Sequence, residues 1–157
     1  MRTTIHIILL LLLVTIAGNA AAQQAKIGCM DKSIRLQGEQ MKHDFKAQGM
    51  EIYKDAMLTM TPKQPYPIAI QLMEKELYQF IFVGSNNGGK LYFELFDGGD
   101  NKIGEKNVEI TEKNNYVIYS FIPQKTDLYL VVVSQKVKGK NDVCGSFTVM
   151  QKIPGVK

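Results

Sequence analysis

After residue 50 the sequence keeps one rhythm. Short stretches of alternating apolar and polar residues are broken about every ten residues by glycine, proline, asparagine or aspartate, the punctuation of antiparallel strands and tight turns. Residues 51–60, 68–73, 77–83, 91–96, 108–110, 116–122, 128–133 and 147–153 read as strands. Leu91, Phe93 and Leu95 alternate with Tyr92, Glu94 and Phe96, and the segment 97–101 that follows is the clearest hairpin turn of the chain. Pro62, Pro65 and Pro67 bar a central strand through their own stretch. A single helix is expected before all of this, over residues 31–48. Asp31 is placed to cap it, Ile34, Met41 and Phe45 share one face, and Gly49 can adopt the left-handed conformation that stops it. One helix followed only by strands excludes the β-α alternation of a parallel sheet. The fold class is therefore mainly β: an antiparallel β-sandwich, jelly-roll-like, of about eight strands with one N-terminal α-helix.

The first 22 residues follow a different pattern. Arg2 precedes a nearly all-aliphatic run over 5–16, broken by His6 and Thr15, and Ala20 and Ala22 supply the small residues a signal peptidase accepts. That run falls short of the roughly 20 apolar residues a spanning helix needs. Residues 1–22 are thus expected to leave as a signal peptide, and 23–157 to remain as one β-sandwich domain. Cys29 follows Gly28, but Lys26 stands where a lipidation signal wants an apolar residue. No later apolar run reaches spanning length, so no integral membrane segment is expected after cleavage, and the destination is the periplasm or the extracellular space.

Export decides how the two cysteines are read. In an oxidising compartment Cys29 and Cys144 most simply pair with each other, and neither a C-x-x-C motif nor a neighbouring histidine speaks for a reactive thiol. Two cysteines are too few for a four-cysteine zinc site.

The strand sequences Tyr78-Gln79-Phe80-Ile81-Phe82-Val83, Leu91-Tyr92-Phe93-Glu94-Leu95-Phe96-Asp97, Tyr116-Val117-Ile118-Tyr119 and Asp127-Leu128-Tyr129-Leu130-Val131-Val132 resemble small exported jelly-roll sandwiches. They are similar to bacterial pre-peptidase C-terminal domains, whose strands surround an x-L-x-D-x-x-G hairpin and a Y-x-L-x-V strand. The resemblance spans residues 66–152. The N-terminal helix and the cysteine pair depart from it and look more like a group of functionally uncharacterised exported proteins of Gram-negative bacteria. The resemblance implies a non-catalytic accessory or binding module and carries over no catalytic residue.

The residues agree with that implication. His43 is the only histidine after position 22, and its neighbours Lys42 and Asp44 read as a solvated helix flank. No G-x-S-x-G or H-E-x-x-H motif is present, and Glu74 and Glu76 sit in a lysine-containing turn. Asp97, Asp100 and Asn101 offer oxygens for a calcium-stabilised turn. An EF-hand starting at Asp97 fails, because Val108 falls where a bidentate glutamate is required. Tyr66, Tyr92, Tyr116 and Tyr119 would make a platform for sugar rings if they shared the solvent face. Lys136, Lys138 and Lys140 alternate along one side of an extended segment and would suit an anionic glycan or shield a strand edge. The formal charge of +4 and the lack of aromatics among these lysines argue against nucleic acid. The expected function is a non-catalytic exported binding or structural module without a cofactor, partnered by a glycan or an envelope protein. A carboxylate-dependent polysaccharide-active enzyme and a calcium-stabilised adhesin stay open as alternatives.

Overall fold

The computed structural model describes residues 29–138 and 142–155. The signal-peptide expectation over 1–22 lies outside the described residues. Helix α1 (Lys32–Ala47) precedes eight strands: β1 (Met50–Met60), β2 (Tyr66–Leu72), β3 (Tyr78–Val83), β4 (Gly89–Phe96), β5 (Lys102–Ile110), β6 (Tyr116–Phe121), β7 (Asp127–Lys136) and β8 (Val143–Lys152). They form two antiparallel four-stranded sheets, ordered β1-β8-β3-β6 and β2-β7-β4-β5. The first strand pairs with the last, the second with the seventh, the third with the sixth and the fourth with the fifth. This nested pairing is the jelly-roll arrangement. β2 reaches back over Pro67, further than the proline rule suggested. It can do so because β2 is an edge strand, where proline is tolerated.

The inward faces of the two sheets meet in one core built on Phe80, Phe82, Phe93, Phe147, Leu91, Leu95, Val131 and Val149. The sheets differ on their outer sides. β4 shows clean alternation, with Leu91, Phe93 and Leu95 buried and Tyr92, Glu94 and Phe96 half-exposed. β3 and β8 are buried on both faces, because α1 lies across the outside of the β1-β8-β3-β6 sheet. Ile34, Met41 and Phe45 of the helix pack there against Ile81, Val83, Met50, Met57 and Met150.

Local chemistry fixes the helix where it lies. The Asp31 carboxylate accepts from the backbone N–H groups of Ser33 (2.9 Å) and Ile34 (3.1 Å), and Gly49, at φ 75°, ends the helix. Gly38 faces Ser146 so closely that a Cβ would lie 2.7 Å from its hydroxyl oxygen, so the bare backbone sets the helix–sheet distance. Lys42 was expected on a solvated flank, but it is buried at 5% exposure. Its ammonium lies 2.6 Å from Asp55 of β1 and 2.8 Å from Glu39, while Asp55 also accepts from the Thr148 hydroxyl at 2.7 Å. Burial alone would push the ammonium pKa down. The hydrogen bonds and charges of Asp55 and Glu39 outweigh it and leave Lys42 above the ordinary lysine value.

At the end of the sandwich holding the β7–β8 connection, Gln135 is fully buried. Its amide accepts from Ser85 N–H (2.9 Å) and donates to the Cys144 carbonyl (2.7 Å). Asn115 exchanges two hydrogen bonds with Gln37 and gives a third to the Gly84 carbonyl. Cys29 and Cys144 form the disulfide at this same end, with Cα atoms 5.5 Å apart across a sequence separation of 115.

Replacing both cysteines by serine is expected to lower the unfolding free energy by up to about 4–5 kcal/mol, read from urea midpoints. Lys42 makes a distinct prediction. Its raised pKa means its contribution is fully present below the unfolded lysine pKa, about 10.4, and is lost as pH climbs through the higher folded value. The melting-temperature deficit of Lys42→Met should therefore be largest near neutrality and shrink in strong alkali. A deficit independent of pH would show that the ion pair is not its cause.

Candidate functional site

Antiparallel strands joined by short connections place successive turns at alternate ends. The connections after β2, β4 and β6 accordingly gather at the end opposite the disulfide. Glu74 N–H donates to the Thr126 hydroxyl at 2.9 Å, and Lys75 N–H to the Pro123 carbonyl at 3.0 Å, which ties two of the three together. Between the β4–β5 and β6–β7 connections opens a groove of about 340 Å³ lined by Ile103, Phe121, Tyr129, Gln124, Lys125 and Asp97. Its aromatic wall is set by packing: the Phe121 and Tyr129 rings meet edge-on with centroids 5.5 Å apart, and the Tyr129 hydroxyl donates to the Lys125 carbonyl at 3.0 Å. A second hollow of about 220 Å³ shares Asp97 and Tyr129 with the groove. Ala69, Leu128 and Leu130 line it together with Asp100 and Asp127. Met73, Ile103, Ile122 and Leu128, all large and exposed, lie on the same connections or on the strand ends they join.

Charge is unevenly placed here. Asp97 accepts from Gly99 N–H (2.9 Å), Asn101 N–H (3.0 Å) and the Asn101 side-chain amide (3.1 Å), a network that rigidifies the turn. The Asn101 backbone bond, its side-chain bond and the nearby Lys125 charge hold the Asp97 carboxyl below the usual range. The Lys125 ammonium, 2.6 Å from Asp127, does the same for Asp127, helped by Leu128 N–H. In return Asp127 raises the pKa of Lys125. Three carboxylates thus share the hollow and groove with one ammonium, on a chain of formal charge +4.

The turn brings Asp97, Asp100 and Asn101 together, the three residues singled out for calcium. The Asp97 oxygen is already taken up by N–H donors. Among the described residues no three His, Cys, Asp or Glu side chains gather as a metal-binding group. The tyrosines do not form one platform. Tyr92 points outward from β4, where the Lys136 ammonium sits 4.9 Å from its ring centre. Tyr116 packs into the α1 cluster outside the other sheet, and Tyr119 turns into the core, stacked on Phe93 at 4.9 Å. Tyr66 is exposed on the edge strand β2. Of the three lysines, Lys136 ends β7, Lys138 is exposed beyond it, and Lys140 lies outside the described residues. His43 is an exposed surface residue with a side chain 79% accessible, and Glu74 pairs with Lys75 at 2.7 Å.

The sequence pattern marks Phe121, Gln124, Lys125, Asp127 and Tyr129 only as strand or turn residues, and Ile103 falls between the 97–101 turn and the expected 108–110 strand, which in the structure begins at Lys102. The available signal was the parity of the turns, which places the 97–101 and 123–127 connections at one end.

No family model matches the sequence, and no curated protein does. Among solved structures the chain is similar to PliG of Aeromonas hydrophila, a periplasmic lysozyme inhibitor of g-type lysozyme. That match has 16% identity and a TM-score of 0.48 over 67% of this chain and 90% of the other. It is also similar to a CBM4 structure, with 12% identity and a TM-score of 0.43 over 66% and 79% of the two chains. A third likeness is to TmCBM61 in complex with β-1,4-galactotriose, with 14% identity and a TM-score of 0.38 over 65% and 85%. Among the described residues, no helix is long and apolar enough to cross a membrane.

The lowered Asp97 pKa gives a signed expectation. Its contribution is present above the unfolded aspartate pKa, about 3.9, and is lost as pH falls through the lower folded value. Asp97→Asn should melt below the wild type at pH 7, and the two curves should converge in strong acid.

Proposed function

We propose that this protein is an exported, non-catalytic binding module that takes its ligand in the groove at the β4–β5 and β6–β7 end of the sandwich. The observation that carries this reading is the apolar groove itself, with a wall of Phe121 and Tyr129 fixed by ring packing and a polar rim of Asp97, Gln124 and Lys125. A small number of polar groups around an apolar floor is the make-up of a binding pocket. Against a polysaccharide-active enzyme stands the chemistry of its carboxylates. Acid catalysis needs one carboxyl with a raised pKa, whereas Asp97 and Asp127 are both held down and ionised at neutral pH. Export to the periplasm or beyond is supported by the 1–22 pattern and by the disulfide.

The protein, immobilised and exposed to an envelope extract, should retain one or a few components. Ile103→Asp should release them while leaving the melting temperature nearly unchanged, since Ile103 is 41% exposed. Release of new reducing ends from envelope polysaccharide by the wild type, abolished by Asp97→Asn, would overturn the non-catalytic reading.

A further inference from the structure

The groove and the hollow beside it differ in character, and the pair together selects an occupant. The groove, at about 340 Å³, is at the small end for ligand pockets and has Ile103, Phe121 and Tyr129 as its apolar surface. The hollow is floored by Ala69, Leu128 and Leu130 and carries Asp97, Asp100 and Asp127 against the single Lys125. On a chain with 19 basic and 15 acidic residues this is a local inversion of charge. A sugar hydroxyl can donate to one of these carboxylates, whereas a cation gains from their summed charge as well. A side chain with an aliphatic stem and a cationic head fits both properties: the stem covers the apolar floor and the head reaches the carboxylates. Local negative potential also steers a basic partner toward this end.

Resting on the binding-module reading above, we propose that this end of the sandwich docks a loop of a basic protein, seating an apolar side chain in the groove and a neighbouring arginine or lysine in the acidic hollow. The two positions are adjacent because groove and hollow share Asp97 and Tyr129. Asp127 reaches the incoming cation in competition with Lys125, while Asp100, in the left-handed conformation at φ 60° and exposed, is presented at the tip of the turn.

The test is an amide chemical-shift titration of the full protein with capped Phe-Arg, Phe-Gln and Phe-Glu peptides and with a neutral cello-oligosaccharide, all at millimolar concentration. Phe-Arg should shift the amides of Ile103, Phe121 and 97–101, and bind about tenfold more tightly than Phe-Gln, the yield of one charge-assisted contact. Phe-Glu should bind more weakly still. The double variant Asp100→Asn/Asp127→Asn should bring Phe-Arg binding down to the level of Phe-Gln, and added salt should act in the same direction. Equal binding of the three peptides at these amides, or binding of the oligosaccharide there in place of peptide, would overturn the basic-loop proposal and leave the binding module standing. Shifts confined to another surface, or no shift with any probe, would overturn the proposal. Failure of the envelope-retention experiment separately removes the module reading.

Discussion

The outward side chains of β3 and β8, among them Ile81, Val83, Ser146, Thr148 and Met150, are buried like the inward ones, so the centre of the sheet they share with β1 and β6 has no wet side. A sheet of that kind must be covered on both faces. The second sheet covers one face and α1 the other, so the helix is a third layer of the core. The close approach at Gly38 and the Lys42–Asp55–Thr148 contacts follow from that requirement. A helix packed this near needs a bare backbone at the crossing, and a cation enclosed beneath it needs a carboxylate within reach.

The same arrangement divides the molecule's two ends. One is closed by polar bonds that cross between layers: Gln135 to Ser85 and Cys144, Asn115 to Gln37 and Gly84, and the disulfide. A buried amide such as Gln135 is tolerated only when its hydrogen bonds are made, and among the described residues no buried side-chain polar atom is left without a partner. The other end has large apolar side chains open to solvent, with Met73, Ile103, Ile122 and Leu128 all exposed. Buried polar ties mark one end, and surface suited to a partner the other.

Much of this was legible in local patterns. Turn residues separate the strands, Asp31 and Gly49 bracket the helix, and the unbroken apolar run Phe80–Val83 contrasts with the alternating Leu91–Phe96 stretch. The unbroken run is a strand buried twice; the alternating one is buried once. Alternation assigns a side chain to one of two faces but does not say which layer the face meets. Tyr116 and Tyr119, three apart, fall on opposite faces of β6, yet nothing local says that one face meets the helix and the other the core. The meeting of Phe121 with Tyr129, and of Lys125 with Asp97, depends on strand order, which no local pattern encodes. Lys42 reads as solvated because lysine usually is, and only the tertiary placement of Asp55 makes its burial tolerable.

The nesting of first strand with last has a consequence for biogenesis. β8 lies between β1 and β3, so their sheet has no centre until residues 143–152 are present. In a chain made from its N-terminus, β1 and β3 would lack the strand that joins them until this last segment arrived, although β3 could already pair with β6 and the β2-β7-β4-β5 sheet would be complete. Cys144 belongs to that same strand, so the covalent closure waits on the last strand as well.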